Sequence, residues 1–306
     1  MGTLFVSLRI HAPQRARVPI RNLGDAMQSV IEIVVAGIIV PVAVSVAISW
    51  LSLRRLSAEA TACYSPSVAF ATAYCVGYLL LPSWAELIPK RHWQWTPYLA
   101  LAAGAIGQYC VAVRENLIER WQLFLATACM SAWLLVPTWA SLHPPRFVWV
   151  PMLTGYLFLL AVLVEPLLTR IPATVISAQL TMSTACTAFL IAGFISVTYA
   201  RPVGIAAAAL AGVWIAAYFA SVAGTARGLS LAYAVTVGGW AFIGCIEPQQ
   251  PAFGLLLAPV APLSLWCCVS GPLSRLRGRI AATIQTVVVL IHLAITGGLM
   301  FVISSG

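Results

Sequence analysis

Uninterrupted apolar runs of about 20 residues recur along this chain of 306 residues and constrain its fold more than any other feature. A run of that length is what an α-helix needs to cross the hydrocarbon core of a bilayer. The composition agrees, because only 8% of the residues are charged, whereas soluble domains carry about 25%. A transmembrane barrel would instead show alternating segments of roughly ten residues. The sequence therefore predicts an all-α, polytopic integral membrane helix bundle.

Charged residues and turn formers separate the apolar runs, and the intervening loops are short. We predict about ten transmembrane helices, at 28–52, 66–88, 96–113, 121–142, 148–168, 173–199, 203–223, 228–246, 252–272 and 280–303. Short loops make neighbouring helices antiparallel. If the helices form two five-helix halves, the odd number per half inverts one half relative to the other, as in many transporters.

The first 26 residues differ from the rest of the chain. A short apolar stub is followed by HAPQRARVPIR, without the long apolar region or cleavage site of a signal peptide. We interpret residues 1–26 as a tail that is disordered or results from a mis-assigned start, and 27–306 as the transmembrane domain. Without the tail, nine basic residues fall in odd-numbered loops and four in even-numbered loops. This asymmetry predicts that both termini lie outside; a cytoplasmic tail would reverse that orientation.

Composition also bears on localisation and partners. Lys90 is the sole lysine, and such a preference for arginine is typical of a GC-rich bacterial genome. We therefore predict a multi-pass protein of the bacterial cytoplasmic membrane, with the lipid bilayer as its surroundings and other membrane subunits or a second copy of the chain as candidate partners. The basic residues are scattered, which does not predict binding of nucleic acid. No cysteine–histidine spacing or nucleotide motif predicts a metal or cofactor.

A first candidate site lies at the predicted midplane of the bilayer. His292 is near the centre of the tenth predicted span, where an ionisable side chain is costly and suggests function. The sixth span is the most polar one and could supply hydroxyl groups. The candidate midplane site consists of His292, Gln285, Thr296, Ser177, Thr181 and Thr184. The alternative is that these groups only bond neighbouring helices to each other.

A second candidate site lies at the membrane interface, where two loops gather tryptophan and histidine. Its members are His92, His143, Glu86 and Trp93. The alternative is an aromatic belt that anchors the protein at the level of the lipid headgroups. Among the carboxylates, Glu165 lies deepest in an apolar run, and Arg170 is its predicted partner.

Three functional hypotheses follow. The first is a secondary transporter or permease for a small neutral or apolar solute, and the second is a non-catalytic membrane subunit or scaffold of a larger complex. The third, an intramembrane enzyme, is the least favoured, because paired catalytic groups and an aspartate-rich metal site are missing from the sequence.

Overall fold

The computed structural model describes residues 34–55, 66–81, 88–112, 116–139, 142–219, 226–248, 252–270 and 278–305. Within these ranges the chain is helical and contains no β-strand, which confirms the predicted all-α class. The predicted tail and parts of several predicted loops lie outside the described residues.

The helices are numbered in chain order. The longer ones are α1 (Val40–Arg55, after a π-helical turn at Val35–Ile39), α2 (Pro66–Leu79), α3 (Thr96–Ala112, after a 3₁₀ turn at His92–Trp95), α4 (Leu117–Leu135), α5 (Arg146–Arg170), α6 (Ala173–Phe194), α7 (Val197–Phe219), α8 (Leu229–Ile246) and α10 (Gly278–Ser305). Between α8 and α10, two 3₁₀ turns at Phe253–Leu257 and Ala261–Leu265 lead into α9 (Trp266–Ser270).

Six of the described helices are long and apolar enough to cross a membrane: Val35–Ser52 of α1 and its π-turn, α5, α6, α7, α8 and most of α10. The predicted count of about ten spans is not confirmed. α2 has 14 residues, about 21 Å of helix, which is shorter than a hydrocarbon core of roughly 30 Å. Hydropathy does not separate such a short, buried helix from a spanning one, because both are apolar on every face.

α8 forms the centre of the bundle. Every residue of Leu229–Ile246 is buried, whereas only 22% of the most apolar window of α10 is buried. The start of α8 meets the end of α3 backbone to backbone. A Cβ atom at Gly107 would lie 2.1 Å from the carbonyl oxygen of Gly228, which itself has a φ of 80°. Glycine at both positions therefore permits this close contact between α3 and the start of α8.

α8 also packs against α5, and α4 packs against α5 and α3. The four helices α3, α4, α5 and α8 thus form a continuous ring of neighbours. Both cavities described below lie at the ends of these four helices.

Candidate functional site

His292 lies in a structural hydrogen bond between two parts of the fold. Its Nε2 atom is 3.1 Å from the carbonyl oxygen of Leu257, in the 3₁₀ segment before α9. Thr296 donates to the carbonyl oxygen of His292, one turn earlier in the same helix. Gln285 is half-buried on α10. The contact of His292 is thus with a backbone group rather than with the hydroxyls of α6.

The segment that receives His292 is a broken helix whose carbonyl groups are bonded by side chains from four helices. Pro259 and Pro262 have no N–H groups, so they cannot continue an α-helical ladder. Side chains bond four consecutive carbonyls of this segment: Tyr156 Oη bonds Leu256 O at 2.9 Å, His292 bonds Leu257 O, Ser183 Oγ bonds Ala258 O at 2.7 Å and Tyr233 Oη bonds Pro259 O at 2.9 Å. Leu257 O and Ala258 O also accept from the backbone N–H groups of Val260 and Ala261. Helix breaks inside apolar surroundings need such compensation.

The predicted hydroxyl residues of α6 bond mostly within their own helix. Ser177, Thr181 and Thr184 each donate to the carbonyl oxygen four residues earlier. Gln179 connects α6 to α10 by donating to Thr286 Oγ1 at 2.9 Å. The hydrogen bonds recorded for the predicted midplane residues therefore join protein groups to each other, as the packing alternative predicts.

A larger polar site lies near the beginning of α3, where α4 ends, α5 begins and α8 ends. It is a cavity of about 540 Å³, which we call the tryptophan cavity. Its lining consists of Lys90, Arg91, His92, Trp93, Trp95, Trp133, Leu134, Val136, Pro137, Thr138, Trp139, Arg146, Tyr199 and Glu247. Two arginines of the lining each contact a tryptophan ring. The Arg146 guanidinium carbon lies 4.3 Å from the Trp133 ring centroid, and that of Arg91 lies 5.8 Å from the Trp93 ring centroid.

Glu247 is the carboxylate of the tryptophan cavity. The Tyr199 hydroxyl donates to Glu247 Oε1 at 2.7 Å, and His92 Nε2 lies 4.0 Å from the same oxygen. Across the cavity, Arg146 donates to the carbonyl oxygen of Trp133 at 2.5 Å. Gln94 fixes the backbone just before the His92–Trp95 turn, because its side-chain oxygen accepts from the backbone N–H groups of Lys90 and Arg91.

His92 is neutral at physiological pH. Burial disfavours the imidazolium, and the nearby Arg91 adds like-charge repulsion, so the pKa of His92 is lowered to about 4. The Glu247 carboxylate, 4.0 Å away, does not offset these two effects. The ring packs edge-on against Trp139 at 5.3 Å between centroids. Its Nε2 atom is buried and has no hydrogen-bond partner among the described residues.

A second cavity, of about 300 Å³, lies at the other end of the same four helices. We call it the Glu165 cavity, and its lining consists of Cys110, Val111, Arg120, Glu165, Thr169 and Arg227. Glu165 is 3% exposed and forms an ion pair with Arg120. Ser230 donates to its Oε2 at 2.5 Å, and the backbone N–H of Gly228 donates to its Oε1 at 3.4 Å.

The predicted partner of Glu165 was wrong. Arg170 is exposed and its guanidinium lies over the ring of Trp266, whereas Arg120, from the first turn of α4, pairs with Glu165. A carboxylate so deep in an apolar run indicates that some cation must reach it. Which cation does so depends on helix packing, because Arg120 and Glu165 are on different helices.

Two polar cavities therefore lie at opposite ends of one helix ring. α4 contributes Arg120 near its beginning and Leu134 near its end, and α5 contributes Arg146 at its beginning and Glu165 near its end. α8 begins just after Arg227 and ends just before Glu247.

Between the two ends, several buried hydroxyl groups on these helices lack a hydrogen-bond partner among the described residues: Ser131 on α4, Thr154 on α5 and Thr236 on α8. Thr236 lies in the π-helical turn Ala234–Gly238, which interrupts α8 at its middle. Such turns occur frequently at functional sites. Leaving a buried hydroxyl unpaired costs about 1–3 kcal/mol.

The predicted interfacial residues have different locations. His92 and Trp93 line the tryptophan cavity. His143 is exposed and is not part of the described lining, and Glu86 lies outside the described residues. Sequence reasoning missed Tyr199 and the position of Glu247, because both reach the cavity from later helices. No local signal in the sequence connects them to His92.

No protein-family model, curated protein or solved structure matches this chain. Six long apolar helices are compatible with a multi-pass membrane protein. The function must therefore be inferred from the geometry of the chain itself.

Proposed function

We propose that this protein is a membrane transporter whose solute path runs between α3, α4, α5 and α8. The observation that carries the proposal is the pair of polar cavities at the two ends of this helix ring. A protein that only anchors other subunits has no need of a polar cavity at each end of the same helices. Alternating access to two such vestibules is how secondary transporters move solutes.

The proposed path differs from the one that the sequence suggested. His292 and the α6 hydroxyls lie outside the α3–α4–α5–α8 ring, and their recorded bonds are to other protein groups. The unpartnered hydroxyls of Thr154 and Thr236, by contrast, are on ring helices between the cavities. These hydroxyls could bond a solute or water during passage, and such bonds would supply the hydrogen-bond partners that they otherwise lack.

Packed aromatic residues close the path at the tryptophan-cavity end. Trp149, one turn along α5 from Arg146, stacks on Phe253 at 5.9 Å and meets Phe242 edge-on at 5.4 Å between centroids. α8 is interrupted at its middle, between the two cavities, by its π-turn. We infer that movement of α8 relative to α5 opens the path, because a π-turn is a local irregularity where a helix can shift register.

The proposal is tested by sided cysteine labelling of the full chain in membrane vesicles. In a cysteine-free background, the single sites are Thr138→Cys in the tryptophan cavity, retained Cys110 in the Glu165 cavity, and Thr154→Cys or Thr236→Cys between them. Ser177→Cys, buried on α6, is the matched control. We expect a membrane-impermeant maleimide to reach position 138 from one side and Cys110 from the other, and to modify at least one intermediate site but not position 177.

If both intermediate sites stay unreactive from either side while Thr138→Cys reacts, no path exists and the transport proposal is rejected. Equal reaction of Ser177→Cys would mean general unfolding, which would also remove support for a defined path.

A second candidate function is a non-catalytic subunit or scaffold. It is favoured by one observation, the hydrogen bonding of His292 and the α6 hydroxyls to protein groups rather than to open space. Gly297 and Gly298 on α10 also border open space, which leaves a small-residue face available to another helix. The same labelling experiment separates the two candidates, because a scaffold predicts unreactive sites at 154 and 236.

A further inference from the structure

The tryptophan cavity has an excess of positive charge. Arg91 and Arg146 are cationic, Glu247 is the single carboxylate among the described lining residues, and His92 is neutral. The two guanidinium groups thus carry one more positive charge than the described carboxylate balances. Glu247 accepts a hydrogen bond from Tyr199 at 2.7 Å, and no ion pair joins it to Arg91 or Arg146 in the described part of the chain. An anion would supply the missing charge.

Two buried nitrogen atoms in this lining, Arg146 Nε and His92 Nε2, have no hydrogen-bond partner among the described residues. Arg146 Nε carries a hydrogen, and the neutral His92 ring donates from Nε2 in the tautomer that has its proton there. The His92 side chain is 10% exposed. Leaving such groups unbonded is costly. An oxyanion in the cavity would accept from both and would make the short, charge-assisted bonds that guanidinium groups form with phosphate and carboxylate oxygens.

The remaining walls fit an apolar body rather than a bare ion. Four tryptophans line the cavity: Trp93, Trp95, Trp133 and Trp139. Their rings offer flat apolar surface beside the cations. A volume of about 540 Å³ lies within the range of sites for drug-sized molecules, roughly 300–1,000 Å³. An inorganic anion would leave most of that wall without contacts.

From these three features we infer that the tryptophan cavity binds an amphipathic organic anion, with a phosphate or carboxylate group at Arg146 and His92 and an apolar or aromatic body against the tryptophans. The inference rests on the proposed function in naming the solute class of one vestibule. It replaces the neutral or apolar solute that the sequence suggested. A lipid headgroup and a water-soluble organic phosphate share this chemistry.

Binding to the purified full chain in phosphatidylcholine nanodiscs tests the inference, with calorimetry as the readout. The probes are 1-naphthyl phosphate, 1-naphthol as its uncharged counterpart, inorganic phosphate, and dioleoyl phosphatidic acid incorporated in the disc. We expect a phosphate-bearing amphiphile to bind about tenfold or more tightly than 1-naphthol and inorganic phosphate, because a hydrogen bond to a charged group contributes about 1.5–3 kcal/mol. Saturation by phosphatidic acid alone identifies a lipid ligand, and saturation by naphthyl phosphate alone identifies a soluble one.

Arg146→Gln is expected to weaken the binding about tenfold, while Arg279→Gln, an equal charge change on an exposed residue of α10, leaves it unchanged. If Arg146→Gln is not monodisperse, Arg91→Gln serves instead, because Arg91 is exposed on a loop. Equal affinity for 1-naphthol and its phosphate, no binding of either amphiphilic anion, or equal loss in Arg279→Gln overturns the inference.

The outcome is independent of the transport test. If the anion binds but positions 154 and 236 stay unlabelled, the anion site is retained and the transport proposal is rejected. If those positions are labelled but no anion binds, the transport proposal is retained and the anion site is rejected.

Discussion

The carboxylates of the two cavities differ in how many groups bond them and in how exposed they are. Glu165 accepts from Arg120, Ser230 and the backbone of Gly228, and it is nearly inaccessible. Glu247 accepts from Tyr199, its side chain is 19% exposed, and among the described residues it forms no ion pair with the arginines of the cavity. The comparison shows how one helix ring can use similar residue types for different purposes. A fully bonded buried carboxylate contributes to folding, whereas an incompletely compensated cationic cavity is suited to binding.

The largest expected effect comes from breaking the Glu165 cluster. Glu165→Gln leaves the half-buried Arg120, whose side chain is 22% exposed, without its counter-charge, and removal of one partner of a buried ion pair typically costs about 3–5 kcal/mol. Thermal unfolding in detergent measures the loss. Glu119→Gln on the first turn of α4 is the control, because no ion pair is recorded for Glu119 in the described structure, and its effect should stay within about 0.5 kcal/mol. Equal stability of the two variants would show that the cluster does not support the fold.

An intermediate effect is expected from pH at the tryptophan cavity. The pKa of His92 is about 4 in the folded chain and about 6.5 when unfolded. The unfolded state therefore binds the additional proton between these values, so stability falls as the pH is lowered from about 6.5 to 4. The contribution of His92 is at most about 3 kcal/mol.

Melting temperatures across this pH range measure the effect. His92→Gln should flatten the pH dependence, whereas His143→Gln, at an exposed position, should leave it unchanged. An unaltered slope in His92→Gln would contradict the lowered pKa.

The smallest effect is expected at the Tyr199–Glu247 hydrogen bond. Tyr199→Phe removes one donor from a carboxylate that water can still reach, so the expected loss of stability is about 1 kcal/mol. Chemical unfolding measures the free energy of unfolding of this variant. Tyr218→Phe, at an exposed tyrosine later on α7, is the control, because it removes a hydroxyl group without removing the bond to Glu247. A loss as large as that of Glu165→Gln would show that the two carboxylates do not differ in the way proposed.

Parts of the candidate site were predictable from local pattern. His92 and Trp93 are near each other in the chain and lie beside the same interface, so the sequence pointed to the right end of the bundle. His292 was singled out because an ionisable side chain in an apolar run requires a partner. That partner is the carbonyl of Leu257, which also accepts from the backbone N–H of Val260. The sequence showed both the histidine and the prolines, but not that they meet.

The sequence by itself determined that the chain is helical and apolar, because runs of this length and composition satisfy their backbone groups within each helix. Tertiary structure alone decided which polar groups meet: Arg120 with Glu165, Tyr199 with Glu247, and four side chains with one broken helix. The physical reason is range. Hydropathy and helical period act within a few turns, whereas pairing across helices depends on how whole helices pack, and residues far apart in the chain then become neighbours.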